Sequence, residues 1–390
     1  MVNKLISMVL LVSALASPVA LAATDCHVIY DAGSSGTRLY IYEQQAGSWL
    51  SHEGPKVGAL ADPVREVRGK TWQDAPAVTE EVVAALEAVR KDGPLKGGKP
   101  EWQAFDWKQQ CHLQSASVLA TAGMRIAEQE NRERANQLWE MLTVRLSKEV
   151  GAGVKVDTRT LTGFEEGLYA WLALRDEQSS NHYGIAEMGG ASAQVTFPCD
   201  DCDNSHNAVR TVLVKGQPVK MYSYSFLGLG QDEAPKTLTA KAAVPADCAY
   251  NVGATQSGWK PSVCGEEIHL SDSNGLKDPY NFADGKQGTH NQPPVVQQGP
   301  KQWFLTGAFA YMQPTDIASC CEDGAQCFNQ ASSCFSSVYR VKYLNTLQVP
   351  DTADKADVSW TAGANICGAT GCLNEAKSAP ICRWSDQGCL

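Results

Sequence analysis

The chain has 390 residues, enough for two domains, and its 43% hydrophobic and 19% charged residues are the proportions of a globular protein. A formal net charge of −10 excludes a nucleic-acid partner gripped through a basic face. It does not exclude nucleotides, because one metal ion and a few aimed amides can neutralise a phosphate locally.

Met1 to Ala22 reads as a secretory signal peptide. Lys4 supplies the positive start, Leu5 to Leu15 the apolar core, and Ala20-Leu21-Ala22 a small-x-small cleavage site. The apolar run is too short to span a bilayer, and no Cys follows the cleavage site to carry a lipid. The expectation is an exported protein, periplasmic or secreted, with no membrane anchor in the mature form. In such a compartment the 14 cysteines read as disulfides.

Cys26 to Tyr30 is a strand, Asp31-Ala32-Gly33-Ser34-Ser35-Gly36-Thr37-Arg38 a small polar loop, and Leu39 to Tyr42 a returning strand. Gly33 and Gly36 allow a tight backbone whose N–H groups can cradle an anion, and Ser34, Ser35 and Thr37 add hydroxyl donors. Asp31 would repel phosphate, so it points to an intervening cation. An ordinary Gly/Ser turn has the same composition. Further on, Thr79 is a candidate helix cap, with Glu80 and Glu81 in the first turn and Val82, Val83, Leu86 and Val89 on the apolar face. Pro94 to Pro100 is a Gly/Pro-rich loop. Leu113 to Leu119 is a strand ending at Ala120-Thr121-Ala122-Gly123-Met124-Arg125, and Ala135, Leu138, Leu142 and Leu146 mark a long helix.

Val154 to Thr160 is a strand, and Phe164 to Leu174 is helical by spacing. Glu165 and Glu166 point about 100° apart on that helix, so at most one can face a given point. Either could be a helix-start acid favoured by the dipole. Tyr183 to Met188 is a strand followed by Gly189-Gly190-Ala191-Ser192-Ala193-Gln194 and a further strand, Val195 to Phe197. Both loops therefore follow one order: acid, one residue, glycine, then small and hydroxyl residues. Two such hairpins, one in each half, suggest a duplicated domain clamping a polyphosphate.

Cys199-Asp200-Asp201-Cys202 reads as a staple closing a turn rather than a zinc or redox site, since no second such pair follows. Leu227-Gly228-Leu229-Gly230 is a Gly-punctuated turn, a plain loop or a ligand contact. Cys248 and Cys264 bracket an insert, and Val263 to Pro300 reads as loops, with a possible lid. Trp303 to Met312 is apolar, Val338 to Leu347 helical, and Asp351 to Asp357 a polar crossing. Alternating strand and helix signals favour an α/β fold.

The segments DAGSSGTR (Asp31–Arg38), ATAGMR (Ala120–Arg125), LTGFEEGLYAW (Leu161–Trp171), AEMGGASAQVTF (Ala186–Phe197) and FLTGAFAYM (Phe304–Met312) stand in the order of the apyrase family. With YSFLGLGQDEA (Tyr224–Ala234) and Trp360 to Gly363, they make the chain resemble the secreted nucleoside triphosphate diphosphohydrolases over nearly its whole mature length. The resemblance implies two actin-like, ribonuclease-H-like domains with the active site in the cleft between them. Residues 23–157 with the Cys-rich 358–390 would form the first, and 158–357 the second. It implies hydrolysis of the terminal phosphate of nucleoside tri- and diphosphates, by in-line attack of water and with a divalent cation (Mg²⁺, Ca²⁺ or Mn²⁺).

In that resemblance Glu166, directly before Gly167, is the general base, and Ser192 and Gln194 orient the water. Ser34, Ser35, Gly36, Thr37 and Arg38 serve one phosphate; Gly189, Gly190 and Ala191 serve the next. Asp31, Thr121 and Glu187 hold the cation, largely through its waters. The family usually has Asp where Glu187 stands, which puts the metal preference in question. Tyr311, with Ala308 beside it, matches an aromatic that stacks the base, although a core aromatic fits the spacing equally. Ser332 and Ser333 precede Cys334 where relatives carry a second base contact, so base recognition should be permissive. A related exopolyphosphatase and a secreted binding module are the rival readings. Export and abundant Cys disfavour the first; the presence of Glu166, Ser192 and Gln194 disfavours the second.

Overall fold

The computed structural model describes residues 23–90, 107, 111–177, 182–202, 208–238, 261–272, 275–276, 282–283, 286–287, 300–312, 332–374, 384–385 and 388–389. The leader, the Pro94–Pro100 loop, Cys248, Cys382 and most of 273–299 lie outside them, so expectations there are not addressed.

β1 (Thr24–Gly33), β2 (Gly36–Gln45) and β3 (Ser48–Val57) form an antiparallel meander. Ala46 and Gly47 turn the second hairpin with φ of 47° and 89°, the mirror-image turn that matches strand twist. β4 (Cys111–Ala120) and β5 (Lys155–Thr160) add in parallel on the other side of β1, giving the order β3-β2-β1-β4-β5. Parallel strands need crossovers. α1 (Ala61–Arg65) and α2 (Ala75–Arg90) connect β3 to β4; α3 (Ala122–Glu130) and α4 (Arg132–Val150) connect β4 to β5. Their apolar faces, including Val78, Val82, Leu86, Leu138 and Leu142, are buried in one core with Val28, Tyr30 and Ala116.

α5 (Gly163–Glu177) leads to the second sheet, β6 (Tyr183–Met188), β7 (Ser192–Pro198), β8 (Val209–Val214), β9 (Gln217–Leu227), β10 (Gln302–Gly307) and β11 (Asp354–Lys355). Its order is β11-β10-β6-β7-β9-β8. β6, β7 and β9 are the antiparallel meander, and β10 and β11 join in parallel beside β6. The arrangement repeats that of the first sheet, with β8 as an extra edge strand. The fold is the duplicated α/β architecture that the two loops suggest.

α9 (Trp360–Thr370) packs on α5 between the sheets. The contact is close at Gly363, where a methyl would overlap the Tyr169 carbonyl, which explains a glycine there. A core of Ile29, Leu119, Leu168, Trp171, Ile185 and Phe304 joins both sheets through this helix pair. Trp171 Nε1 donates to the Tyr183 carbonyl and Tyr183 Oη to the Trp171 carbonyl, each at 3.1 Å, with the rings stacked at 5.2 Å. That reciprocal pair fixes α5 on β6.

Among the described residues, disulfides pin strand and helix ends: Cys26–Cys111 joins β1 to β4, Cys199–Cys202 closes the turn after β7, and Cys367–Cys372 closes the end of α9. Cys199 and Cys202 thus form the staple read from sequence. Cys264 is also disulfide-bonded.

Two expectations are corrected. α2 starts at Ala75, not at Thr79, which lies within the helix and donates to the Ala75 carbonyl at 3.0 Å. The real start is a short 3-10 turn, Trp72–Asp74, with Thr71 and Asp74 in a capping box, and Pro76 suits the first turn. Pro261 to Glu267 is a helix, α7, at the edge of the stretch read as loops, where Cys264 and Ile268 are buried in the second core. α6 (Ala234–Leu238) precedes it, and α8 (Ser332–Leu347) packs Phe335, Tyr339 and Tyr343 into the same core. Among the described residues no helix is long and apolar enough to cross a membrane.

Candidate active site

The two acid-glycine loops are the turns of equivalent hairpins. In the first, Asp31 pairs with Arg38 and Gly33 with Gly36, leaving Ser34 and Ser35 at the tip. In the second, Glu187 pairs with Gln194 and Met188 with Ala193. The parallel neighbours end level with them: Ala120 beside Ala32, Thr160 beside Ala120, and Gly307 beside Met188. All five sequence segments therefore converge at the carboxyl ends of strands, where open α/β sheets bind ligands.

The tips meet across a cleft of about 260 Å³. A methyl on Gly190 would overlap the Ser34 hydroxyl and the Asp232 carboxylate, and both would have to shift to admit it. Asp31, Ser34, Ser35, Thr121, Glu166, Glu187, Gly189, Gly190, Ala191 and Ser192 line the cleft. The Gly228–Gly230 turn supports the second tip from behind. Gly228 N–H donates to the Ala191 carbonyl at 2.8 Å, and Gln231 N–H to Gly189 at 3.0 Å.

The other named residues lie outside the lining. Thr37 is buried, with its hydroxyl unpaired among the described residues. Arg38 forms an ion pair with Glu53 at 2.8 Å. Gly36 faces Lys56 and Val57 of β3. Gln194 is buried one layer behind Ser192, and its Nε2 donates to Ser225 Oγ at 2.9 Å. Ala308 packs against the second core. Tyr311 is no core aromatic: the residue is 66% exposed, and its hydroxyl donates to Asp357, a cleft residue, at 2.7 Å.

α5 separates the two adjacent glutamates. Glu165 completes a capping box: its Oε2 accepts from Thr162 N and Oγ1, both at 2.9 Å, and its N–H donates to Thr162 Oγ1 at 3.2 Å. Arg159 reaches its other oxygen at 2.9 Å. Glu166 turns into the cleft, where Arg125 Nη2 donates to it. The same Nη2 lies 3.2 Å from Ser192 Oγ, and Nη1 lies 3.2 Å from Ser225 Oγ. Arg125, at the end of the Ala120–Arg125 segment, thus ties both sheets to the candidate base. The segment carries the only local signal for this arginine, since its partner Glu166 lies 41 residues further on. Tyr40, Ser359 and Trp360 also line the cleft, and only Trp360 carried a signal, in its motif.

Of the four carboxylates that line the cleft, Asp31, Glu166 and Glu187 act on one another. Burial and the charge of Glu166 push Asp31 up to about 7, against the pull of Arg38, a hydrogen bond from Trp360, and Lys56. Burial raises Glu187 well above the carboxylate range, and Glu166 and Asp31 add to it. Glu166 is raised by burial and drawn back by Arg125 and Gln194. Glu187 Oε2 is buried without a hydrogen-bond partner among the described residues. Negative charge crowded beside two glycine-rich loops of phosphate-binding type is what a divalent cation would relieve. Among the described residues no group of three or more His, Cys, Asp or Glu side chains is placed to hold a metal ion.

The GDA1/CD39 (nucleoside phosphatase) family model matches residues 108–337. The chain is 30% identical over 276 residues to "Probable apyrase 4" of Arabidopsis thaliana, covering 65% of this chain and 48% of that protein. It is 26% identical over 242 residues to "Ectonucleoside triphosphate diphosphohydrolase 1" of Bos taurus, covering 53% and 41%. The chain spans about half the length of the curated relatives it matches. Among solved structures, nucleoside triphosphate hydrolases from Neospora caninum superpose with a TM-score of 0.50 at 14% identity, over 88% of this chain and 92% of that one. That likeness shows a shared fold.

Proposed function

As the chain belongs to the GDA1/CD39 (nucleoside phosphatase) family, we propose that it removes terminal phosphates from nucleoside tri- and diphosphates, using a divalent cation and in-line attack by water. We further propose that it acts after export, in the periplasm or outside the cell, and that residues 23–157 with 358–390 form one domain and 158–357 the other. The observation that carries the reading is Glu166, held by Arg125 within a cleft whose walls are the two phosphate-type loops.

Each residue has a chemical task. Ser34 and Ser35 on one tip, and the backbone of Gly189 to Ser192 on the other, donate to phosphoryl oxygens, where charge develops. Glu166 takes the proton of the attacking water at its carboxylate. Ser192 fixes that water's direction, and Gln194 acts from behind by holding Ser192 and Ser225. Asp31, Thr121 and Glu187 would hold Mg²⁺, Ca²⁺ or Mn²⁺. Such an ion would supply positive charge to offset that of the phosphate. The exposed Tyr311 ring, above Asp357, is available to stack a base.

The test is phosphate release from ATP, ADP and inorganic polyphosphate with each cation and with EDTA. Release from both nucleotides, abolished by EDTA without loss of circular dichroism, is the expected result. Release from polyphosphate alone would overturn it.

A further inference from the structure

The two loop tips belong to different sheets, so their spacing depends on how the halves are joined. Among the described residues, the Arg65–Glu233 ion pair joins them outside the cleft, in addition to the core shared under α5 and α9. Arg65, the last residue of α1, donates from Nη1 to Glu233 Oε1 at 2.9 Å. Its Nε and Nη2 each reach Glu130 at 3.1 Å. The Arg65 and Glu233 side chains are 9% and 5% exposed.

A short run of contacts leads from each partner to a loop tip. Glu233 N–H donates to the Gly190 carbonyl at 3.2 Å, and Asp232 N–H to the same oxygen at 2.8 Å. On the other side Ala61, in the helix that carries Arg65, lies 3.6 Å from a methyl placed on Gly123, and the Ser34 Cα lies 3.1 Å from that same point. α1 therefore bears on Gly123, and Gly123 on Ser34. α1 ends in left-handed backbone at Glu66, φ 56°, with Arg68 at φ 55° just beyond. Non-glycine residues hold such angles only where the surroundings enforce them. Here an ion pair from Arg134 to Glu66 and the Val67 N–H to Asp62 carbonyl bond do so.

We propose that the Arg65–Glu233 ion pair is an interdomain latch that sets the spacing of the two phosphate loops and so positions a polyphosphate without touching it. The claim rests on the cleft being a nucleotide site. With the latch absent, the loop tips spread apart about the core that α5 and α9 share, and the substrate must supply the closing free energy. Apparent affinity then falls by the fraction of molecules that remain closed. Once substrate is bound, the cleft is closed and the chemistry is unchanged. Nucleoside tri- and diphosphate lose affinity by the same factor.

The geometry also makes the pair testable. When Arg65 is replaced, Glu233 keeps Lys236 at 2.9 Å; when Glu233 is replaced, Arg65 keeps Glu130. Neither single variant strands a buried charge. The experiment compares the full chain with Arg65→Met, Glu233→Gln and the double variant, by small-angle X-ray scattering without nucleotide and by steady-state kinetics. All three variants should show a larger radius of gyration, which a phosphonate-bridged ATP analogue with Mg²⁺ restores. KM for ATP and for ADP should rise together by about ten- to a hundredfold, with kcat within about threefold. The double variant should be no worse than the worse single. An unchanged radius, or a fall in kcat at constant KM, would overturn the latch. If the unmodified protein hydrolyses neither nucleotide, the proposed function fails, and the scattering comparison still decides the latch.

Discussion

Arg125→Met would test how the candidate base is kept ionised. The side chains of Arg125 and Glu166 are 12% and 5% exposed. Removing one partner of a buried pair costs about 3–5 kcal/mol if the other stays charged. Glu166 can avoid that penalty by taking a proton. Burial already raises it, and Arg125 is the largest influence drawing it back. About 3 kcal/mol is roughly a hundredfold in a protonation equilibrium. Only the ionised carboxylate accepts the water's proton, so losing Arg125 must move the acidic limb of the kcat/KM profile to higher pH. The limb should move up by about two pH units, and the rate lost below it should recover as pH rises. Arg125→Lys, which keeps the charge without the fork to Ser192 and Ser225, should fall between. The assay is phosphate release from ATP across pH 5–10 at saturating Mg²⁺, in roughly half-unit steps. An acidic limb that stays in place in Arg125→Met would refute the reasoning, whatever the absolute rate.

Glu165→Gln should lose about 1 kcal/mol of stability with its capping box and ion pair weakened, yet keep kcat within a few-fold; melting and turnover measured together would expose a catalytic role. In EDTA, thermal stability should fall as pH rises from about 4 to 7, because folded Asp31, raised to about 7, holds a proton that the unfolded chain releases. Asp31→Asn should flatten that fall, and an identical slope in the variant would assign it to other groups. Replacing both Cys26 and Cys111 with Ser opens a link spanning 85 residues of sequence, which should remove about 4–5 kcal/mol in denaturant melts. A loss below about 1 kcal/mol would mean that the chain folds without that link.

Much of the site could be read from the sequence because its parts are local. A strand, a glycine-hydroxyl turn and a returning strand lie within a dozen residues, so Asp31 to Thr37 and Glu187 to Gln194 could be found by inspection. The roles of Glu165 and Glu166 were separable in principle, since Thr162 three residues before Glu165 is a capping-box spacing. What escaped depends on distance along the chain. Arg125 meets Glu166 41 residues later, and Arg65 meets Glu233 across 168. No periodicity encodes such pairs. Thr37 and Arg38 share a motif with Ser34 and Ser35, yet neither lines the cleft: Thr37 is buried, and Arg38 is held by Glu53 of the neighbouring strand. The β8–β9 hairpin was legible and missed: Lys215-Gly216 is a two-residue turn, with φ of 50° and 76°.

The central claim is that Glu166 removes the proton of the attacking water in a nucleotide cleft built by the two loops. The most direct measurement is Glu166→Gln with MgATP, taking nucleotide affinity by calorimetry and phosphate release on the same preparation. Glutamine keeps the shape but cannot take the proton, and binding rests on the loops and the cation. Turnover should fall by about 10²–10⁴-fold, with affinity within a few-fold of the unmodified protein. Turnover near the unmodified rate would contradict the claim.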